Sequence, residues 1–387
     1  MKKKYNDYCV GCGLCKSEFN CKKLIKEGFT SFDLENCPED FFNKVCPISG
    51  NVLDNYSVNV WGNYYKLYGG WSKDKNLRFK ASSGGVITSL AIYLLESKKV
   101  DGIIQIKSNG SYNTIPVIST SKKDVIQCMG SRYSNSSVLE VLSSNIDENK
   151  KYALIGRPCD ISILKNYQNK YKKYNNIIYT ISFFCAGNPS DKANVKLLND
   201  MGLKNVKNCI SLNYRGNGWP GYATAIDNKK KEYKMRYAES WGNYLGRNIR
   251  LMCKFCVDGC GSTANISCGD YWLLDENKKP IFDENDGRNL IFARDKIGDN
   301  ILNEACKKGY IKLLSFDESK ESIKEIQPAQ FQRTTTVYSK YLAFKIFFRK
   351  TPSYNRKVLK MLSNNTDMKS RYRIFLGTIK RIILKKM

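Results

Sequence analysis

The stretch ASSGG at residues 81–85 is the part of the sequence from which the fold is predicted. It is followed by an apolar run at 86–95 that is typical of a helix, and then by a strand-like run at 100–106. A further predicted strand at 66–71 precedes it. This strand–loop–helix–strand order indicates an α/β fold with a mixed sheet at its core.

A second unit of the same kind lies further along the chain. A predicted strand at 152–155 runs into the turn GRPC, whose last residue is Cys159, and a helix follows. The next predicted strand, at 177–184, ends at Cys185. Two cysteines therefore lie at the carboxyl ends of neighbouring strands, which is the edge where α/β sheets place their ligands.

The loop Ser82, Ser83, Gly84 and Gly85 is a candidate anion site, because the free amides and the dipole at a helix N-terminus favour negative charge. The serine hydroxyls add donors, and the glycines leave room for a close approach. A flavin or nucleotide phosphate fits this pattern. Simple N-capping by serine is the alternative.

A glycine-rich segment at 212–221 formally matches G-x-G-x-x-G. No helix follows it and Pro220 lies inside it, so we exclude a dinucleotide site of this type. The composition predicts a surface hairpin. The alternative is a hairpin that places Tyr214, Arg215 and Trp219 near a planar cofactor.

The N-terminal loop, CVGCGLC at residues 9–15, carries three cysteines at two-residue spacing. This spacing is typical of a loop around one corner of an iron–sulfur cubane. The fourth ligand normally comes from a distant Cys-Pro. The ligands of a first 4Fe–4S cluster are predicted to be Cys9, Cys12, Cys15 and Cys46. Cys37 also precedes a proline and competes for the fourth place, and four thiolates could instead hold zinc.

The same segment resembles a bacterial two-cluster ferredoxin in which the second cysteine run has lost its two middle members. Cys21 comes two residues later than that pattern requires and has no proline after it. In such ferredoxins each cysteine run donates its last cysteine to the other cluster. This arrangement leaves Cys21 and Cys37 as an incomplete ligand set. One cluster is therefore predicted in this module, and the second is predicted to be lost.

Composition limits the chemistry. The chain has 387 residues, 15 cysteines, no histidine and a formal net charge of +28. The absence of histidine excludes Ser-His-Asp and Cys-His catalysis as well as histidine–metal ligation. With no signal peptide recognised, we expect a reducing cytoplasm, where clustered cysteines bind metal or do redox work. The positive charge is attributed to an anionic cofactor, partner or membrane surface rather than to specific nucleic-acid binding.

The C-terminal tail, residues 336–387, is basic and rich in aliphatic and aromatic residues. Acidic residues are nearly absent after Glu325. Two interpretations remain open. The tail forms basic amphipathic helices on a membrane surface, or it forms a helical hairpin packed on the domain with a solvated lysine face.

Several motifs together resemble the beta subunit of coenzyme F420-reducing hydrogenases and dehydrogenases. The resemblance covers roughly residues 5–320 and rests on an ordered set of motifs: SSGGVIT at 82–88, SRY at 131–133, GRPC at 156–159, FCAG at 184–187, CKFC at 253–256 and ISCGDYW at 266–272. Members of that family are iron–sulfur flavoproteins. Those with a fused ferredoxin module often belong to bacterial surface-polysaccharide pathways.

The resemblance implies two sites. A second 4Fe–4S cluster would be held by Cys159, Cys185, Cys253 and Cys256. A flavin or phosphate site would be lined by Ser82, Ser83, Gly84, Gly85, Ser131 and Tyr133. Cys260 and Cys268 lie outside the family pattern, as bystanders or a substitute ligand, and Arg157 stands where the family often has a small residue.

The predicted organisation is a ferredoxin-like module at 1–55, a flavin and iron–sulfur domain at 64–335 and the helical tail at 336–387. The predicted function is an iron–sulfur oxidoreductase that links two 4Fe–4S clusters, FAD and an organic small-molecule substrate, with coenzyme F420 as an alternative to FAD. A ferredoxin-like donor protein or a reduced coenzyme would supply electrons. The alternatives are a relay subunit with clusters only and a zinc-stabilised basic binding protein. No catalytic residue is assigned.

Overall fold

A computed structural model describes residues 7–47 and 58–384 of the chain. The N-terminal module contains a short antiparallel hairpin between two helices. Its elements are α1 Leu14–Phe19, β1 Lys23–Lys26, β2 Phe29–Phe32 and α2 Glu39–Lys44. The predicted module boundary at residue 55 lies outside the described residues.

The described part of the domain contains eleven further strands. They are β3 Lys66–Ser72, β4 Gly102–Ser108, β5 Thr114–Ser119, β6 Tyr152–Gly156, β7 Ile177–Phe183, β8 Cys209–Asn213, β9 Tyr222–Asp227, β10 Glu232–Arg236, β11 Ile266–Asp270, β12 Asn289–Ala293 and β13 Ile311–Ser315. Eight of them form one sheet in the order β13-β3-β12-β11-β7-β6-β4-β5, while β8, β9 and β10 form a small antiparallel sheet. Strands β11, β7, β6 and β4 are parallel, and the outer pairs are antiparallel.

Helices cover both faces of the large sheet. They are α3 Lys75–Lys80, α4 Val86–Glu96, α5 Lys122–Gln127, α6 Leu142–Asn145, α7 Pro158–Tyr171, α8 Asp191–Asp200, α9 Tyr237–Glu239, α10 Leu251–Lys254, α11 Lys296–Lys307, α12 Ile323–Ile326, α13 Pro328–Thr335, α14 Val337–Ile346, α15 Arg356–Ser363 and α16 Met368–Ile383. One hydrophobic core includes the buried sides of α4 and α11. A second includes α7, the N-terminal module and the tail helices, and a third lies between α8 and the small sheet. The predicted α/β fold with a mixed sheet is confirmed.

The predicted elements around the parallel strands agree with the structure to within a few residues. The strand predicted at 100–106 is β4, shifted by two residues. The helix predicted at 160–167 is α7, which begins earlier because Pro158 occupies its first turn, where the missing amide costs no helical hydrogen bond.

The glycine-rich segment forms the loop of the antiparallel hairpin of β8 and β9, as predicted, but it is buried, so its predicted place on the surface is wrong. Tyr214 and Trp219 are 1% and 2% exposed, and the Trp219 ring stacks on Trp272 with centroids 4.8 Å apart. The segment packs against the end of α3, where an ideal Cβ on Gly216 would lie only 2.4 Å from the Lys80 carbonyl oxygen. Its glycines therefore permit close packing of two backbones.

The tail packs on the domain as helices α14 to α16. Phe344, Leu359 and Ile382 of these helices belong to the same core as α7. Tyr354 donates a hydrogen bond to the Phe255 carbonyl at 2.8 Å. The inner face of the tail thus agrees with the packed interpretation. Among the described residues, no helix has both the length and the apolar composition needed to cross a bilayer.

Candidate functional site

A cavity of about 530 Å³, here called the central cavity, opens at the carboxyl edge of the parallel strands. Residues of β4, β6, β7 and β11, or directly after them, line it: Gln105, Ile106, Ile155, Gly156, Arg157, Phe183, Phe184, Cys185, Cys268, Gly269 and Asp270. Its volume lies in the range of about 300–1,000 Å³ that is usual for ligand pockets. This is the edge at which α/β sheets bind ligands.

The loop before α4 forms one wall of the central cavity. The structure brings five of the six predicted phosphate-site residues to the cavity lining: Ser82, Ser83, Gly85, Ser131 and Tyr133. The sixth, Gly84, packs on β12, and an ideal Cβ there would lie 2.7 Å from Asn289 Oδ1.

The two serine hydroxyls of this loop have different roles. Ser83 Oγ donates to the Arg288 carbonyl at 2.8 Å and accepts from Asn289 Nδ2 at 3.1 Å, so it mainly joins the loop to β12. Ser82 Oγ accepts the Ser131 amide at 2.7 Å and retains its own hydrogen for donation. Ser82 is therefore the better ligand donor of the two.

Gly84 and Gly85 were expected to leave room for the close approach of a phosphate, but the structure gives a different reason for them. Gly85 has a φ of +76°, which caps α4 in the left-handed region. An ideal Cβ on Gly85 would lie 2.7 Å from Leu77 Cδ2. Gly84 and Gly85 are thus required by backbone conformation and packing, since a side chain at either position would collide with protein atoms.

Arg132 is a candidate binding residue that sequence reasoning missed, although both its neighbours were chosen. It lines the central cavity, and its Nη1 and Nη2 donate to the carbonyls of Ser131 and Met129 at 3.0 and 3.1 Å. Its buried Nε has no hydrogen-bond partner within the described residues. Burial lowers the pKa of Arg132, as expected for a cation that no carboxylate compensates. An anionic group in the cavity would compensate this charge.

Another part of the central cavity lining is aromatic. Arg215 and Asp270 form a bidentate ion pair with both N–O distances at 2.9 Å. The guanidinium carbon lies 4.4 Å from the Tyr237 ring centroid and 5.6 Å from that of Trp272. Such a flat, rigid surface is suited to stacking against a planar ring system.

Four cysteines at the end of the cavity form what we call the domain thiol group: Cys159, Cys185, Cys253 and Cys256. All four are partly buried. Burial raises the pKa of Cys159, and the nearby Cys185 and Cys253 thiols add to the rise. Burial also raises the pKa of Cys256 to about 12, with further contributions from Cys253 and Cys185. The thiols thus lie close enough to influence one another's charge and come from three separate segments, although no three of their sulfur atoms lie within 4.8 Å of one another among the described residues.

Two cations near the domain thiol group have no carboxylate partner among the residues that the structure describes. Arg333 Nη2 donates to the Cys253 carbonyl at 3.0 Å, and its buried Nε lacks a hydrogen-bond partner in the described part of the chain. Lys340 Nζ donates to the Lys254 carbonyl at 3.1 Å, and burial together with Arg333 and Arg381 lowers the pKa of Lys340 to about 7. These cations suit a net negative group, such as a metal cluster held by four thiolates.

The N-terminal loop brings a different set of thiols together. Cys15, Cys21 and Cys37 are buried, and their sulfur atoms all lie within 4.8 Å of one another. The Cys21 and Cys37 sulfurs are 3.1 Å apart. Cys46 is partly buried against the same core. Cys21 and Cys37 therefore lie beside a predicted ligand, which sequence spacing alone did not indicate.

Two buried arginines lie between the N-terminal loop and the domain thiol group, and Arg250 is the first. It is 3% exposed and donates from Nη1 to the Cys9 carbonyl at 2.8 Å and from Nη2 to Asn135 Oδ1 at 2.8 Å. The Cys9 and Cys253 thiols both lie close enough to act on its charge. Arg250 thus lies beside both cysteine regions.

Arg157 is the second buried arginine between the N-terminal loop and the domain thiol group. Its guanidinium pairs with Asp160 at 2.8 Å and donates from Nη1 to the Val10 carbonyl at 3.3 Å. Burial lowers the pKa of Arg157, but the Asp160 carboxylate, with smaller contributions from the Cys159 and Cys185 thiols, outweighs burial and raises it. Arg157, which stands where the family often has a small residue, therefore connects the N-terminal loop to the domain.

The two cysteines outside the family pattern occupy distinct places. Cys268 lies in β11 and lines the central cavity, and burial raises its pKa. Cys260 is buried near Cys256, and its carbonyl accepts a 2.6 Å hydrogen bond from Arg294. Of the two, Cys260 is the one beside the domain thiol group.

Comparison with known families agrees with this architecture. Residues 67–143 match the profile for the N-terminal part of the beta subunit of coenzyme F420 hydrogenase/dehydrogenase. Residues 149–319 match the profile for the C-terminal part of the same beta subunit. The chain belongs to this beta-subunit family. The matched regions contain the loop before α4, Arg132 and the whole domain thiol group.

Similar proteins come from methanogenic archaea. The beta subunit of the coenzyme F420 hydrogenase of Methanococcus voltae is 22% identical over 70% of this chain and 92% of its own length. The beta subunit of an F420-dependent formate dehydrogenase of Methanococcus maripaludis is 24% identical over 64% of this chain and 61% of its own. The coenzyme F420-dependent sulfite reductase of Methanocaldococcus jannaschii is 21% identical over 84% of this chain and 50% of its own.

A solved structure has the same fold. A chain of the F420-reducing [NiFe] hydrogenase complex from Methanosarcina barkeri superimposes with a TM-score of 0.59. The match has 20% sequence identity and covers 75% of this chain and 95% of that chain.

Proposed function

We propose that this protein is an iron–sulfur flavoprotein oxidoreductase that exchanges electrons between two 4Fe–4S clusters, a flavin and an organic substrate. The observation that carries the proposal concerns Cys185, which belongs to the domain thiol group and also lines the central cavity. A redox group on the thiols and a ligand in the cavity would then share one wall. Membership of the beta-subunit family supports an oxidoreductase role.

When bound, clusters supply one-electron transfer and a flavin exchanges electrons with organic molecules. The chain's own residues supply binding and orientation. Cys159, Cys185, Cys253 and Cys256 would hold one cluster, while Cys9, Cys12, Cys15 and Cys46 would hold the other. Arg333 and Lys340 would balance the negative charge of the first, because they have no carboxylate ion-pair partners among the described residues.

The central cavity would hold the flavin. Ser82, the start of α4 and Arg132 would bind its phosphate groups, since they supply a hydroxyl, helix amides and an uncompensated guanidinium. The aromatic wall with Tyr237 and Trp272 would face a planar ring. FAD is the proposed flavin, and coenzyme F420, which the names of several relatives contain, is the competing ligand.

A relay subunit with clusters alone would not require a cavity of this size with an uncompensated arginine in it. The electron donor would be a ferredoxin-like protein or a reduced coenzyme, and the substrate would be an organic small molecule. We also propose a role in surface-polysaccharide biosynthesis, because the chain resembles family members with a fused ferredoxin module that belong to such pathways.

The test replaces Arg132 and measures bound flavin and iron separately. Arg132→Gln removes the uncompensated charge, so FAD binding should weaken about tenfold or more, as for a lost charge-assisted contact. Iron content should not change. The matched control is Arg247→Gln, because the exposed Arg247 side chain hydrogen-bonds within its own turn. A wild-type protein that takes up neither FAD nor F420 would overturn the flavin proposal and favour the relay.

A further inference from the structure

The outer face of the tail has a feature that packing on the domain does not explain. On α16, Met368, Tyr372, Leu376 and Ile383 are 70%, 62%, 44% and 64% exposed. They follow one another at spacings of four, four and seven residues, which places them on one face of a helix. We call these four residues the apolar stripe.

Other residues of α16 are buried and attach the helix to the protein. Thr378 and Ile382 are its buried residues, and they lie on a different side of the helix from the apolar stripe. Helix α14 packs against α16 and ends in a similar exposed group, in which Ile346 and Phe348 are 57% and 96% exposed. The tail thus has an inner face that packs on the domain and an outer face rich in exposed apolar side chains.

Basic residues flank the apolar stripe. Lys369 and Arg373 follow directly after Met368 and Tyr372, and Lys380 continues the same side of the helix. All three are exposed. Residues 338–387 contain fourteen lysines and arginines but a single acidic residue, Asp367. An apolar stripe beside a basic row is the pattern of a helix that lies in the plane of an anionic membrane surface.

We propose that the outer face of the tail docks the protein on an anionic lipid surface, with the apolar stripe in the headgroup region and the basic row on lipid phosphates. The inference goes beyond the redox function and does not depend on it. Charge complementarity favours lipid, because a second copy of this chain would bring a like-charged tail against the stripe.

Truncating the tail is not a clean test. Lys340 and Tyr354 donate hydrogen bonds to the carbonyls of Lys254 and Phe255, so removal of residues 338–387 would uncover the domain thiol group. Point changes on the exposed face avoid this, because no core contact is altered.

The experiment measures binding of the full chain to vesicles of phosphatidylcholine alone and of phosphatidylcholine with an equal part of phosphatidylglycerol. Wild type should bind the anionic vesicles only, and salt should weaken binding. Lys369→Gln/Arg373→Gln/Lys380→Gln should weaken binding about a hundredfold, since each basic side chain near such a surface contributes about fivefold. Tyr372→Ser/Leu376→Ser should weaken it about tenfold through lost apolar burial.

Two controls carry the same chemical changes elsewhere. Lys122→Gln/Lys123→Gln/Lys308→Gln removes three exposed charges from the domain. Ile297→Ser/Ile210→Ser removes two apolar side chains that are 50% and 51% exposed. Both controls should bind like wild type.

Equal losses in the tail variants and their controls would overturn the proposal, since binding would then follow net charge or general hydrophobicity. So would a wild type that binds neither vesicle. A wild type that dimerises in solution, with Tyr372→Ser/Leu376→Ser monomeric and vesicle binding unchanged, would assign the stripe to a second copy instead.

Discussion

In the N-terminal loop, three proposed ligands lie within seven residues, whereas the domain thiol group is assembled from three distant segments of the chain. The loop depends on local spacing and on glycines with positive φ, such as Gly11 and Gly13. The domain group depends on strand ends that meet at one edge of a sheet. Sequence spacing therefore identifies the first directly, while the second needs the fold.

The surroundings of the two regions also differ. Beside the domain thiol group, two cations, Arg333 of α13 and Lys340 of α14, donate hydrogen bonds to backbone carbonyls. In the module, Cys15 has two further buried cysteines as neighbours, Cys21 and Cys37. Among the described residues, only the module thus brings three sulfur atoms within 4.8 Å of one another, and it has more thiols than one cluster needs.

The largest expected effect follows the loss of a domain ligand. Cys253→Ser should remove one cluster, so that iron falls from about eight to about four per chain. The uncompensated charges of Arg333 and Lys340 should then also lower thermal stability. Iron analysis and thermal denaturation under anaerobic conditions measure both. Iron near eight in this variant would contradict the assigned ligand set.

A comparison of Cys46→Ser with Cys37→Ser and Cys21→Ser tests the module. The ferredoxin-like pattern predicts that Cys46→Ser removes about four irons and that the other two changes leave iron unchanged. If Cys37→Ser loses iron and Cys46→Ser does not, the cluster uses the buried neighbour of Cys15 as its fourth ligand.

A smaller effect is expected from the buried cation between the two regions. Arg250→Gln removes a positive charge that contacts the Cys9 carbonyl and lies beside Cys253. Both reduction potentials should become more negative by tens of millivolts, with iron content retained. Redox titration followed by electron paramagnetic resonance measures this. The control is Arg247→Gln, which should leave both potentials unchanged.

The smallest effect concerns Lys340, whose pKa burial lowers to about 7 from the usual 10.5. At Lys340 the unfolded chain therefore binds more protons between these values, so the contribution of Lys340 to the stability of the metal-free protein should increase as pH rises from about 7 towards 10. Lys340→Met should flatten that part of the profile. Urea unfolding of metal-free protein at several pH values measures it, and an unchanged profile would assign the dependence to another group.

Sequence patterns predicted three of the four parallel strands (β4, β6 and β7), helix α4 and the edge of the sheet where the cavity lies, because these depend on local periodicity and strand order. They did not predict Arg132, Arg250 or Arg333, since an isolated arginine has no spacing signal. They also placed the segment with Trp219 on the surface, although contacts with α3 and Trp272 bury it. A glycine-rich composition indicates tight turns or close backbone packing. Whether that backbone is exposed depends on the rest of the fold.

The most direct test of the account is metal and flavin quantitation of wild-type protein purified without oxygen, together with electron paramagnetic resonance of its reduced form. The account predicts about eight irons per chain, signals from two reduced 4Fe–4S clusters and stoichiometric flavin after FAD is supplied. Zinc in place of iron, with no cluster signal, would contradict it.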